Sequence, residues 1–163
     1  MTRVHSIDDM PKLVGSDLGV TDWLLVEQSM IDEFGRSTLD MDWLHVDPER
    51  ARREGPFGGS IAFGFWTLSL LTHFSHQVGM WPKDALFALN YGLDRVRWTA
   101  PILVGSRIRM RCHLQAFEPR DSDRYLVRTL NTVELEDGQT ALIAEWLGLF
   151  QGHPVRKIAD PAQ

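Results

Sequence analysis

Residues 55–82 read GPFGGSIAFGFWTLSLLTHFSHQVGMWP, a run of 28 residues without a single Asp, Glu, Lys or Arg. A segment of this length could span a membrane, but its glycines, prolines and Ser, Thr, His and Gln side chains make it too polar for lipid. We therefore expect a loop that leads into one helix over residues 62–78. Because that helix has no charged face, we expect it to be buried on nearly every side.

Extended segments dominate the chain after this helix. Residues 107–116 alternate between apolar and polar side chains, which predicts a strand with one packed face. Residues 125–136 and 139–150 flank Asp137-Gly138, a dipeptide typical of tight turns, and so predict an antiparallel hairpin. Residues 86–98 predict a further strand. The strand over residues 139–150 is apolar on both faces, which indicates a central strand or a dimer seam.

Shorter elements come before the charge-free run. We expect a strand over residues 22–26, a helix over residues 28–36 and a short helix through Arg53 that begins with Asp47 as N-cap and Pro48 in its first turn. One long apolar helix followed by antiparallel strands predicts an α+β fold in which a curled sheet wraps around the helix. This description fits the hot dog fold. We expect a single domain over residues 1–163, with a core at about residues 15–151 and a flexible tail at residues 152–163.

Composition narrows the classes of partner and compartment. Seventeen Lys and Arg against 22 Asp and Glu give a net charge of −5, too acidic a balance for a nucleic-acid-binding protein. The single cysteine, Cys112, excludes an intrachain disulfide and a zinc site of several cysteines, and it suits a reducing compartment. The first residues have no apolar signal segment. We expect a cytoplasmic protein that binds neither nucleic acid nor membranes.

One short segment concentrates the groups that could do chemistry: Asp40, Asp42, His45 and Asp47. A calcium loop is excluded, because its pattern requires a glycine at the sixth position and a glutamate at the twelfth, which this segment lacks. We therefore expect no metal. Asp47 is explained as a helix cap. Asp40 and His45 could share one water molecule, with either group acting as the base.

Several motifs in one order resemble a known family, the MaoC-like dehydratases, also called (R)-specific enoyl-CoA hydratases. The resemblance is closest to their nodulation protein N-like branch, and it covers about residues 23–150. The chain carries the matching stretches at residues 40–51, 55–65, 67–71, 90–98 and 101–109.

The resemblance implies an activity and a set of site residues. Family members add water across the double bond of a trans-2-enoyl thioester, giving the (R)-3-hydroxyacyl thioester without a metal or redox cofactor, and CoA is part of the substrate. The resemblance implies that Asp40 and His45 activate the water, that the backbone N–H of Gly64 stabilises the enolate oxygen, and that the protein is a homodimer. It also implies a substrate pocket that includes Asp42, Phe63, Ser69 and Thr72.

The chain departs from the family pattern at Leu39, where glycine is usual, at Asp42, where an amide is usual, and at Phe63, where histidine is usual. Phe63 is therefore expected to reshape the acyl tunnel. Two alternatives to a hydratase stay open: a non-catalytic acyl-thioester-binding protein, and a hot dog acyl-CoA thioesterase, although the predicted helix has no acidic residue. Arginines at strand positions are candidates to bind the phosphates of CoA: Arg95, Arg97, Arg107 and Arg109.

Overall fold

The computed structural model describes residues 4–152 and contains five helices and six strands within them. In chain order the elements are α1 (Met10–Leu13), β1 (Asp17–Val20), β2 (Leu24–Leu25), α2 (Gln28–Thr38), α3 (Trp43–Val46), α4 (Pro48–Glu54), α5 (Gly64–Gln77), β3 (Phe87–Trp98), β4 (Arg107–Pro119), β5 (Arg124–Leu135) and β6 (Thr140–Gln151).

All strands belong to one antiparallel sheet in the order β1, β4, β5, β6, β3, with β2 also paired to β4. The predicted hairpin is confirmed, since β5 and β6 pair along their length on either side of Asp137-Gly138 and Gly138 adopts the left-handed conformation with φ 85°. β6 lies between β5 and β3, as expected for a strand that is apolar on both faces.

The core forms between α5 and the sheet. α5 contributes Trp66, Leu71 and Phe74, and the strands contribute alternate side chains such as Met110 and Phe150, all of them buried. This packing gives the expected α+β architecture, with the sheet covering one side of the long helix.

The prediction that α5 is buried on nearly every side is wrong. Phe65 at the start of the helix has 69% of its surface exposed, and Ser69, Thr72 and His76 on the same helical face are also exposed. The physical reason is that a curved sheet covers only one side of a helix. The uncharged residues of α5 therefore form an exposed face as well as a buried one.

The predicted strand over residues 22–26 is also largely wrong, because β2 has only two residues. The N–H of Asp22 is satisfied by the side chain of Gln77 (3.0 Å) and not by a neighbouring strand, so regular pairing begins later. The predicted tail over residues 152–163 lies outside the described residues except for Gly152, which is buried and donates to the carbonyl of Asp123. No helix within residues 4–152 is long and apolar enough to cross a membrane.

Candidate active site

His45 lies on α3, a single turn of helix that is fixed by capping at both ends. The carboxylate of Asp42 accepts a hydrogen bond from the N–H of Leu44 (2.9 Å) and so caps α3. The carboxylate of Asp47 accepts from the N–H of Arg50 (3.0 Å) and caps α4, as the sequence predicted. The two caps hold α3 between α2 and α4 and so set the position of His45.

The imidazole of His45 is held by a main-chain carbonyl. Its Nδ1 lies 2.7 Å from the carbonyl oxygen of Ile61. Because a carbonyl oxygen can only accept, Nδ1 carries the proton and Nε2 of the neutral ring carries a lone pair. Nε2 has no hydrogen-bond partner within residues 4–152. In the neutral ring, Nε2 is therefore the nitrogen that is available to accept a hydrogen bond.

The main chain of His45 is tied to α2 by a partly buried polar network. The side-chain amide of Gln28 donates to the carbonyl of His45 (2.7 Å) and to the carboxylate of Asp32 (2.8 Å). The hydroxyl of Ser60 donates to the carbonyl oxygen of Gln28's amide (2.6 Å), and only 4% of Ser60 is exposed. Sequence reasoning missed Gln28 and Ser60, since no local pattern indicates contacts between residues so far apart in the chain.

Phe63 packs against His45 rather than facing the cavity. The two rings stack with centroids 3.9 Å apart and planes at 29°. The ring centroids of Phe34 and Phe63 are 5.4 Å apart. Phe63 is 5% exposed and is not among the residues that line the cavity beside His45. Its contact with the imidazole is a feature that the sequence did not predict.

The candidate active site is a cavity of about 310 Å³ beside the first turn of α5. Gly64 is the first residue of this helix, and its N–H has no hydrogen-bond partner within the described residues, as is usual for the first turn. The indole N–H of Trp98 donates to the carbonyl of Gly64 (2.8 Å). A Cβ at Gly64 would lie 2.9 Å from that indole nitrogen, so the close approach requires glycine. The cavity is lined by His45, Phe57, Ile61, Ala62, Gly64, Thr67, Trp98, Thr99, Ala100, Pro101 and Ile102.

Two predicted site residues on the α3 side stand apart from this cavity. Asp40 lies in the loop before α3, is exposed, and accepts only a long hydrogen bond from the N–H of Asp42 (3.3 Å). It does not line the cavity and has no hydrogen bond to His45 in the described part of the chain. Asp42 is exposed as well, and its carboxylate is engaged in capping.

Ser69 and Thr72 line a second, mainly apolar cavity of about 390 Å³ between α5 and β3. Their hydroxyls donate within the helix, Ser69 to the carbonyl of Trp66 (2.7 Å) and Thr72 to the carbonyl of Ser69 (2.8 Å). The two cavities meet at an aromatic pair. Phe65 lines the second cavity and contacts Trp98 of the first, with ring centroids 5.4 Å apart.

The candidate arginines on the strands are mostly ion-paired. Arg95 pairs with Glu145 (3.3 Å) and Arg109 with Glu134 (3.1 Å), while Arg107 lies 3.8 Å from Glu136. Among the residues that the structure describes, the side chain of Arg97 donates only to the carbonyl of its neighbour Val96. No three His, Cys, Asp or Glu side chains within residues 4–152 form a group that could hold a metal ion.

The sequence is similar to proteins of one family. Residues 9–136 match the family described as MaoC like domain. The chain belongs to the MaoC-like domain family. Nodulation protein N of Rhizobium leguminosarum bv. viciae is 41% identical over 150 residues, covering 91% of this chain and 93% of that protein. The 3-hydroxyacyl-thioester dehydratase Z of Mycobacterium tuberculosis is 39% identical over 146 residues, covering 89% of this chain and 95% of the relative.

A solved structure confirms the fold class of this MaoC-like chain. The MaoC-like dehydratase from Rhodospirillum rubrum superposes with a TM-score of 0.71 at 22% identity, covering 87% of this chain and 94% of the other. The α+β hot dog architecture and the resemblance to the nodulation protein N-like branch are thus confirmed.

Proposed function

We propose that this MaoC-like protein catalyses the reversible addition of water to a trans-2-enoyl-CoA or related enoyl thioester, giving the (R)-3-hydroxyacyl thioester. One observation carries the proposal: His45 and Gly64 line the same cavity, and within residues 4–152 neither Nε2 of His45 nor the N–H of Gly64 at the helix N-terminus has a hydrogen-bond partner. A base and a stabiliser of negative charge are the two groups that this addition requires.

The proposed reaction needs only acid and base chemistry. Nε2 of His45 takes a proton from water while the water oxygen attacks C3. Asp40 lies outside the cavity, and the proposal requires that its carboxylate approach the same water when substrate binds, because catalytic contacts often tighten only in the complex. The electron pair of the double bond moves onto the thioester oxygen, where the N–H of Gly64 and the positive end of α5 stabilise the enolate. C2 then takes the proton back from the imidazolium, so that one water is added and the base is restored. CoA enters only as part of the substrate.

A non-catalytic acyl-thioester-binding protein is the second candidate. The observation that favours it is the exposed position of Asp40, which makes no hydrogen bond to His45 within the described residues. A thioesterase is less well supported, because the sequence of α5 contains no Asp or Glu that could act on the thioester.

The deciding experiment follows the absorbance of the conjugated enoyl group with purified protein and trans-2-enoyl-CoA of short, medium and branched chains. We expect turnover in the wild type, a loss of roughly 10²- to 10⁴-fold in kcat/KM in His45→Gln and Asp40→Asn, and wild-type rates in His73→Gln. His73 is a matched control because it is an exposed histidine of α5 outside the cavity.

The other outcomes assign the alternatives. Release of free thiol from CoA would identify a thioesterase. A wild type that turns over no substrate but gains thermal stability from enoyl-CoA would identify a binding protein, since a ligand that binds only the folded state stabilises it.

We further propose that the protein works as a homodimer in the cytoplasm. β3 is an edge strand with exposed Phe87, Leu89, Tyr91 and Leu93, and the exposed face of α5 lies beside it across the second cavity. Pairing of two β3 strands would cover this apolar surface and extend the sheet. A reducing compartment suits the one cysteine, which is unpaired.

A further inference from the structure

We propose that Phe63 is a positioning residue for the hydration reaction, one that holds the imidazole of His45 in the orientation that presents Nε2 to water. This inference rests on the proposed function and adds a role that neither the motif nor the departure from the family pattern assigns. It is an alternative to the expectation that Phe63 reshapes the acyl tunnel.

The hydrogen bond from Nδ1 to Ile61 fixes one atom of the His45 ring but leaves the ring free to turn about that contact. A flat ring stacked at 3.9 Å with an interplanar angle of 29° removes this freedom. Phe63 is itself fixed, because it is 5% exposed and contacts Phe34 on α2. The imidazole is therefore held by one polar and one apolar contact, a combination that preserves alignment for proton transfer.

The position of Phe63 in the chain links the orientation of His45 to that of the Gly64 N–H. Phe63 is the N-cap residue of α5, and its carbonyl accepts from the N–H of Thr67 (3.1 Å). The next residue is Gly64, whose N–H is proposed to bind the enolate oxygen. One dipeptide thus sets both the direction of the imidazole and the direction of the stabilising N–H.

The chemistry of the phenyl ring suits this role. It stabilises the ring plane while leaving the accepting nitrogen free, so a flat ring at this position matters and a merely bulky one does not.

The test compares three variants. Phe63→Leu removes the flat ring and Phe63→His retains one. Phe74→Leu is the matched control, because it removes a buried phenyl ring from α5. We expect Phe63→Leu to lower kcat by about 10- to 100-fold while KM changes less than about threefold. Phe63→His keeps kcat within about fivefold of the wild type. Phe74→Leu loses stability but keeps the wild-type kcat per folded molecule.

A second readout does not depend on turnover. The ¹⁵N shifts of the His45 imidazole report which nitrogen carries the proton, and we expect one fixed tautomer in the wild type and in Phe74→Leu but averaging of the two in Phe63→Leu. Wild-type shifts or an unchanged kcat in folded Phe63→Leu would overturn the positioning role. A wild type that never turns over enoyl-CoA would refute the hydratase. The comparison of tautomers would still decide whether Phe63 orients the His45 ring.

Discussion

At the scale of single residues, Leu39 carries the clearest conformational cost. It ends α2 in the left-handed conformation, with φ 62°, and 89% of its surface is exposed. This conformation costs an ordinary residue about 1–2 kcal/mol. Where a helix ends with a residue in this conformation, that residue is commonly glycine. The family's preference for glycine before the motif aspartate thus has a backbone explanation.

We expect Leu39→Gly to stabilise the protein by about 0.5–1 kcal/mol, because relief of the left-handed strain exceeds the extra chain entropy of glycine in the unfolded state. Urea denaturation measures the change. Leu39→Ala is the control, since it removes the same exposed side chain but keeps the strain, and it should leave the free energy of unfolding within about 0.5 kcal/mol. Equal gains in both variants would contradict the strain argument.

Cys112 gives a pH prediction. Burial raises the pKa of its thiol to about 12, and only the thiolate is reactive. At pH 8 about one molecule in ten thousand therefore carries the thiolate, and this fraction rises only as the pH approaches the raised pKa. We expect no labelling by a thiol-specific reagent in the native protein at pH 8 and complete labelling in urea. Rapid labelling of the native protein would show that the thiol is accessible.

At the scale of elements, the connection between α2 and α3 depends on a few polar atoms. Ser60→Ala removes the donor to the amide oxygen of Gln28 and leaves a partly buried acceptor unsatisfied. We expect a loss of about 1–3 kcal/mol in the free energy of unfolding.

The matched control is Ser37→Ala, whose hydroxyl also donates to a neighbouring acceptor, the carbonyl of Phe34, but at an exposed position. It should change the free energy of unfolding by no more than about 0.5 kcal/mol. Similar losses in the two serine variants would mean that the connection to α2 does not stabilise the fold.

The elements also show how far sequence reasoning reaches. The hairpin at Asp137-Gly138 and the cap at Asp47 were predicted because each depends on a local rule of turn or helix geometry. β1 and α3 were missed, because four residues are too few to show a period. Their structure depends on pairing with β4 and on the two flanking caps.

The candidate site was likewise predicted only in part. His45 and Gly64 were predicted from their motif, and they share a cavity. The partners of His45 were missed because Gln28 and Ile61 are 17 and 16 residues away from it in the chain. Phe63 was identified as a departure from the family pattern, but its stacking against His45 was not predicted, since sequence alone does not show which ring it contacts.

At the scale of the whole molecule, the open edge of the sheet predicts self-association. We expect light scattering to give a mass of twice 18.6 kDa for the wild type and the monomer mass for Leu89→Lys, because a charge on the edge strand opposes pairing. Val14→Lys is the control, as it places the same charge on an exposed apolar position away from β3. A monomeric wild type would refute the dimer.

The contacts that orient His45 have a consequence for how such proteins diverge. Every one of them comes from the uninterrupted stretch between Gln28 and Phe63, whereas most of the wall of the second cavity comes from later parts of α5 and from β3. Mutation and selection can therefore alter the later segments, and with them the shape of the second cavity, while the contacts that orient His45 are kept. If the proposed function is correct, the residues that orient the reacting imidazole and those that shape the second cavity lie in different segments of the chain and can evolve separately.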